Sequence, residues 1–212
     1  MHRPDNPGFG ASHNFAFANV GRDTRFHFIA NPDVQFNKGD LATLVKYMES
    51  HHDVGLVVPR VTYPDGTLQF NRTLLPTPAN MVIRRFFENS RIGKKLIETF
   101  QLRCLRDNDV VEIPAATGCF MLVRSKIFQE IGGFDERFFL YFEDFDLTRR
   151  IAKLAKTMYC PMVTIVHEHA RGAHKSNRLF LIMIISALKY FNKWGWIFDS
   201  ERTALNNNTL SQ

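Results

Sequence analysis

Residues 132–146 read Gly132-Gly133-Phe134-Asp135-Glu136-Arg137-Phe138-Phe139-Leu140-Tyr141-Phe142-Glu143-Asp144-Phe145-Asp146. The paired glycines end whatever helix precedes them. A run of aromatics follows, and three carboxylates then fall within four residues at the head of a helix-like segment, 147–151. Acids in a first helical turn complement the helix dipole, which by itself requires no further role. Here they are framed by Phe138, Phe139, Leu140, Tyr141 and Phe142, and apolar walls raise a carboxyl pKa, as a general base requires. A helix N-terminus lowers that pKa while burial raises it, so the sequence leaves the protonation of Glu143 and Asp144 open.

Outward from this stretch, strand and helix patterns alternate. Residues 25–30 read as a strand that Asn31-Pro32-Asp33 breaks. Asp40 is a candidate cap for a helix carrying Leu41, Leu44, Val45 and Met48 on one face. Residues 55–58 are an apolar strand, and Pro64-Asp65-Gly66 marks a hairpin. One or two helices are expected over 79–102, strands at 110–113 and 119–123, and a short helix capped by Ser125. Residues 143–154 make the next helix, 158–166 one or two strands, and 177–191 the last helix. The chain is therefore α/β with a mixed sheet flanked by helices. The tail from Asn206 to Gln212 reads as disordered.

Composition narrows the class. With 45% hydrophobic and 23% charged residues the chain is globular, and its 20 Phe imply a packed core or an aromatic-lined cleft. A net charge of +6 favours anionic partners. Arg84, Arg85, Arg91, Lys94, Lys95, Arg103 and Arg106 crowd the middle, a solvated helical face or a contact surface. Three cysteines without C-x-x-C spacing give no disulfide framework and point to a reducing compartment. Met1-His2-Arg3-Pro4-Asp5 has no apolar run after it, so no signal peptide is expected. No nucleic-acid-binding module is present.

Further motifs carry candidate chemistry. Asp33 at the carboxyl end of a strand is a hard oxygen donor, suited to Mg²⁺ or Mn²⁺ bridging a diphosphate, or a plain turn acid. His167-Glu168-His169 ends a strand with both imidazoles on one face, and Arg171, His174 and Lys175 continue it as an anion-binding loop. Gly8-Phe9-Gly10-Ala11-Ser12-His13 is no dinucleotide fingerprint, since His13 stands at the third glycine position. Residues 178–198 form either a buried helix or an interfacial one with Trp194 and Trp196 at headgroup level.

Taken in order, Asn6-Pro7-Gly8-Phe9-Gly10 with Asn14, Asn31-Pro32-Asp33-Val34, Gly118-Cys119-Phe120-Met121-Leu122-Val123-Arg124, Gly132 to Phe139, Tyr141 to Leu147, and His167 resemble the family 2 glycosyltransferases of the GT-A fold. The similarity is greatest to the bacterial rhamnosyltransferase-like branch that builds O-antigen, capsule and related polysaccharides. The resemblance implies Asp144 as catalytic base with Glu143 beside it, and Asp33 and His167 at a divalent cation (Mg²⁺ or Mn²⁺). It implies substrate contacts from Asn14, Asn31, Gly118 and Arg149. It implies inverting transfer from a nucleotide-sugar, a dTDP-sugar such as dTDP-rhamnose, to a polyprenyl-diphosphate-linked acceptor, in the cytoplasm or on the cytoplasmic face of the inner membrane.

The family has a nucleotide-binding half before the Asn-x-Gly-Phe motif, and Met1 lies five residues ahead of Asn6. The resemblance thus implies a GT-A domain lacking its first nucleotide-binding β-α units, with weak or no activity as a lone polypeptide. The alternative is a non-catalytic partner subunit completed by a separate N-terminal half. The expected layout is a partial GT-A domain over 1–176, an amphipathic aromatic helix over 177–198 and a disordered tail over 199–212.

Overall fold

Residues Val54, Gly55, Leu56, Val57 and Val58 are apolar without alternation, as in a strand covered on both faces, and they lie at the centre of the sheet. The computed structural model describes residues 5–168 and 176–212. His169, Arg171, His174 and Lys175, named above as a possible anion-binding loop, lie outside the described residues.

Strand β3 (Val54–Thr62) pairs in parallel with β9 (Lys156–His167) and antiparallel with β8 (Phe120–Arg124). β8 in turn pairs antiparallel with β1 (Phe26–Ala30). With β2 (Val34–Gln35) the order is β1-β8-β3-β9-β2, and β4 (Leu68–Gln69) and β6 (Val111–Glu112) add to β3 and β9. A separate ribbon pairs β5 (Arg72–Thr73) with β7 (Ala115–Ala116). The mixed sheet expected from sequence is therefore present. β1, β3 and β9 point the same way, so Ala30, Thr62 and His167 reach one edge, where open α/β sheets hold ligands.

The pleat sorts the core into two layers. Leu56, Val58, Met121 and Val123 face one way, onto α5 (Ser125–Glu130) and α6 (Glu143–Ile151). Val57, Val61, Phe120 and Leu122 face the other, onto α2 (Lys38–Ser50). Asn37, not Asp40, is the N-cap of α2. Its side chain accepts from the Asp40 N–H while Asp40 accepts from the Asn37 N–H, a reciprocal capping box. Upstream, α1 (Phe9–Ala16) runs into a π-helical turn at Phe17–Gly21. The basic middle forms two helices, α3 (Pro78–Phe86) and α4 (Arg91–Phe100), as expected.

The C-terminal expectation needs correction. After α7 (Asn177–Trp194) a further helix, α8 (Ser200–Leu210), replaces the disordered tail. Its polar residues bond to distant backbone. Buried Arg202 donates to the carbonyl of Pro76, Asn206 exchanges two hydrogen bonds with Leu75, and Gln212 does the same with Glu112.

Beneath β1, His27 is buried between Phe17 and Phe128 with its Nε2 unpartnered among the described residues, and the half-buried His13 lies nearby. Burial first, and the neighbouring His13 second, lower the His27 pKa from 6.5 to about 4. The depressed pKa means that the unfolded chain takes up the proton first. Stability is thus full above 6.5 and falls as pH drops toward 4, by up to ~3 kcal/mol for His27. Urea midpoints measured from pH 7.5 to 4.5 are expected to fall steeply, and His27→Leu to flatten that fall. An unchanged acid slope in the variant would remove His27 as its source.

Candidate active site

The site is built on the carboxyl edge of the sheet. Pro32 ends β1, the Asn31 N–H donates to the Cys119 carbonyl at 2.9 Å, and the pairing of Val34 with His167 sets Asp33 beside the end of β9. His167 is buried, with Nε2 3.3 Å from Asp33 Oδ1 and 3.4 Å from Asn31 Nδ2. Its Nδ1 lies 2.6 Å from Gln69 Oε1, an acceptor, so Nδ1 carries the proton and the Nε2 lone pair faces Asp33 and Asn31. Burial lowers the His167 pKa, with the Asp33 carboxylate opposing, so the ring is neutral at neutral pH.

The acid pair is delivered by a strained turn. Tyr141 and Phe142 both have φ 68°, a left-handed conformation that costs bulky residues roughly 1–3 kcal/mol each. Packing holds it there: Phe142 is buried with Phe138, Tyr190 and Phe191, and Ser186 of α7 donates to the Leu140 carbonyl at 2.8 Å. α6 then starts at Glu143 with no side-chain cap.

Asp144 accepts from the Gly118 N–H at 3.1 Å and from the Phe145 N–H at 2.8 Å. Burial pushes its pKa up to about 6 against those two hydrogen bonds. Glu143 is more deeply buried, with Oε2 unpartnered among the described residues. Burial first, and the Asp144 charge second, raise its pKa well above the carboxylate range. Environments that separate two neighbouring carboxyls in this way leave Glu143 protonated and Asp144 able to ionise near neutral pH. The third acid, Asp146, is structural, accepting from Arg150, Lys193 and Trp194.

Residues 117–119 tie the two halves together. Cys119 holds Asn31, Gly118 holds Asp144, and the Thr117 N–H donates to the Asn71 carbonyl. The structure thus gathers Asn31, Asp33, His167, Gly118, Glu143 and Asp144 around one sheet edge.

Two nominated residues are elsewhere. Asn14, named for the nucleotide side, receives the Phe134 N–H and donates to the Phe134 carbonyl and Glu136. Its amide pins α1 to the 133–136 loop. A Cβ on Gly133 would come within 2.3 Å of its Oδ1, at a φ of 69° that already favours glycine. Arg149, named for substrate, is 1% exposed, paired bidentately with Asp199 at 2.6 and 2.7 Å and also bonded to Glu201. It is an internal tie between α6 and α8, with its guanidinium 4.2 Å from the Trp194 ring centroid. Sequence reasoning missed Gln69. The Asp-Gly hairpin foretells its strand but not that β9 flanks the same strand, β3.

The residues present suit a divalent cation. The hard carboxylate suits Mg²⁺ or Mn²⁺, and the neutral imidazole beside it favours the transition metal Mn²⁺ over Mg²⁺. Their 3.3 Å separation is close to the roughly 3 Å between adjacent ligands of an octahedral ion with ~2.1 Å bonds. Gln69 fixes the tautomer from behind. No third His, Cys, Asp or Glu joins them among the described residues.

The mixed sheet flanked by helices is that of a GT-A glycosyltransferase fold. A solved structure of GalNAc-T7 with UDP, GalNAc and Mn²⁺ has the same fold, at a TM-score of 0.51 and 14% identity, covering 76% of this chain and 30% of that one. The family model described as glycosyltransferase like family 2 matches residues 62–191, and the chain belongs to that family. It is 25% identical over 201 residues to an N-acetylglucosaminyl-diphospho-decaprenol L-rhamnosyltransferase of Mycobacterium tuberculosis, covering 83% of this chain and 64% of that protein. It is 29% identical over 188 residues to the rhamnosyltransferase WbbL of Escherichia coli K12, covering 82% and 64%. The chain thus spans 64% of the length of each of these relatives.

Proposed function

We propose that this chain carries the metal motif and the acceptor side of an inverting glycosyltransferase. In this reading it moves a sugar, rhamnose by preference, from a dTDP-sugar to a polyprenyl-diphosphate-linked saccharide during surface polysaccharide synthesis at the cytoplasmic face of the inner membrane. The observation that carries the reading is the 117–119 bridge, which ties Asn31, beside Asp33 and His167, to Asp144. The sugar and the lipid carrier are suggested by the names of the relatives.

Asp144 accepts the proton of an acceptor hydroxyl, whose oxygen attacks the anomeric carbon from the face opposite the diphosphate. The bond from that carbon to the diphosphate oxygen breaks, and configuration inverts. Glu143, protonated, adds no second charge beside the base. Asp33 and His167 would hold the divalent cation, which when bound would offset the charge growing on the leaving diphosphate. Asn31 positions the turn that carries Asp33 through its N–H bond to the Cys119 carbonyl.

Free Mn²⁺ titrated against the chain with dTDP, and followed by electron paramagnetic resonance, tests the metal assignment without an activity assay. Asp33→Asn is expected to weaken the affinity at least tenfold, and Gln69→Leu by roughly 10-fold through loss of the tautomer-fixing bond. Equal affinity in Asp33→Asn and parent would overturn the assignment.

A further inference from the structure

The α3–α4 hairpin ends in an apolar tip that nothing in the described chain covers. Phe86 is 71% exposed, Phe87 55% and Ile92 74%. Arg84, Arg85, Arg91, Lys94 and Lys95 surround them, all exposed. The turn that presents them is tightly made. Ser90 donates its hydroxyl to the Phe87 carbonyl at 2.8 Å and receives the Gly93 N–H at 2.9 Å. A Cβ on Gly93 would fall 1.8 Å from the Phe87 carbonyl oxygen, so the close approach needs glycine. The aromatics are thus held out on a rigid turn.

Beside the tip lies α7, whose inner face packs through Met183, Ala187, Tyr190 and Phe191. Arg85 sits 4.9 Å from the Phe180 ring centroid and joins the two elements. The outer face of α7 shows Leu181, Ile184, Ile185 and Leu188 to solvent at i, i+3, i+4 and i+7 spacing.

Charge identifies what these surfaces meet. Residues 78–106 contain seven Lys or Arg and two Glu, and residues 177–198 contain three Lys or Arg and no acid, a combined +8. The whole chain is +6, so the rest carries −2. Apolar side chains set in a net positive field, with Glu88 as the acid at the tip, match an anionic bilayer surface, where the rings enter the interface and the cations meet headgroups. Among the described residues no helix is long and apolar enough to cross a membrane, so the contact lies on the surface.

We infer that the Phe86-Phe87-Ile92 tip, with Arg85, Arg91, Lys94 and Lys95 around it, docks this chain onto anionic lipid. The inference deepens the proposal of a lipid-linked acceptor and rests on it for purpose, while its test needs no catalysis.

The full chain is sedimented with phosphatidylcholine vesicles, with and without about one third phosphatidylglycerol. Binding is expected with the anionic vesicles, release at 0.5 M NaCl, and little binding to the neutral ones, since charges separated by more than the Debye length are screened. Phe86→Ser/Phe87→Ser/Ile92→Ser is expected to cut binding at least tenfold with an unchanged thermal midpoint. Arg85→Gln/Lys94→Gln/Lys95→Gln is expected to cut it severalfold and flatten its salt dependence. Equal binding to both vesicle types, or parental binding by the serine variant, overturns the inference, as does binding to RNA with none to vesicles. Sugar transfer to a soluble acceptor analogue by the serine variant stays at the parental rate. Loss of docking and failure of the transferase proposal are therefore separate readings.

Discussion

Asp144→Asn is expected to lower kcat by about 10²–10⁴-fold, measured as release of dTDP in the presence of a lipid-linked acceptor. The amide keeps the side chain's shape but only one of the two oxygens that accept from the Gly118 and Phe145 N–H groups, so the fold is expected to persist with a modestly lower unfolding midpoint. What the variant lacks is a site for the acceptor proton. The same assignment fixes the pH profile. Burial raises Asp144 to about 6 and the base works ionised, so kcat/KM climbs with pH through about 6 and then levels. The effect on stability has the opposite sign. A carboxyl whose folded pKa is raised favours the fold below its unfolded pKa, 3.8, and loses that contribution as pH rises through about 6. The active site is therefore least comfortable where it is most competent. Glu143→Gln, which replaces a carboxyl already neutral, is expected to cost kcat little and to leave the rising limb in place. Near-parental kcat in Asp144→Asn would sink the assignment.

The parts of this site that sequence revealed are those in which one residue's chemistry and its immediate neighbours suffice. Asn31-Pro32-Asp33 had to follow a strand because Pro ends one, and Glu143-Asp144 had to open a helix because of the glycines and aromatics before them. The sheet was legible for a similar reason: 54–58 is apolar on both faces and Pro64-Asp65-Gly66 turns the chain back. What stayed hidden depends on which distant element lies alongside. Gln69 reaches His167 only because β4 and β9 flank the same strand. Asn14 and Arg149 belong to recognisable motifs, but a motif does not say whether a side chain faces the cleft or another element, and both face other elements. The polar C-terminus read as disordered since composition does not count hydrogen bonds to remote carbonyls. Arg202, Asn206 and Gln212 make such bonds, to Pro76, Leu75 and Glu112.

Asp199→Ala carries the largest expected loss of stability, about 3–5 kcal/mol from leaving the Arg149 charge buried without its main partner, with ~1 kcal/mol more from the lost cap of α8. Asp199 accepts two hydrogen bonds from Arg149 and one from the Arg202 N–H, linking α6, which begins with the acid pair, to the C-terminal helix. Although burial opposes it, those bonds hold the Asp199 pKa below 3.8, so this contribution is present above that pH and disappears as pH falls through the folded value. The double variant Arg149→Met/Asp199→Asn removes the uncompensated charge, keeps an amide that caps helices well, and fills the space against Trp194 with an apolar chain. It is expected to recover more than half of the loss in urea unfolding at pH 7.5. If the charge were incidental, single and double variants would unfold alike. A single variant within ~1 kcal/mol of the parent would mean that α8 is held by Arg202 and Asn206 alone. The expected order instead makes residues 199–212 part of what steadies α6. Perturbing Asp199 should therefore shift the pH at which kcat/KM levels, although neither Asp199 nor Arg149 meets substrate.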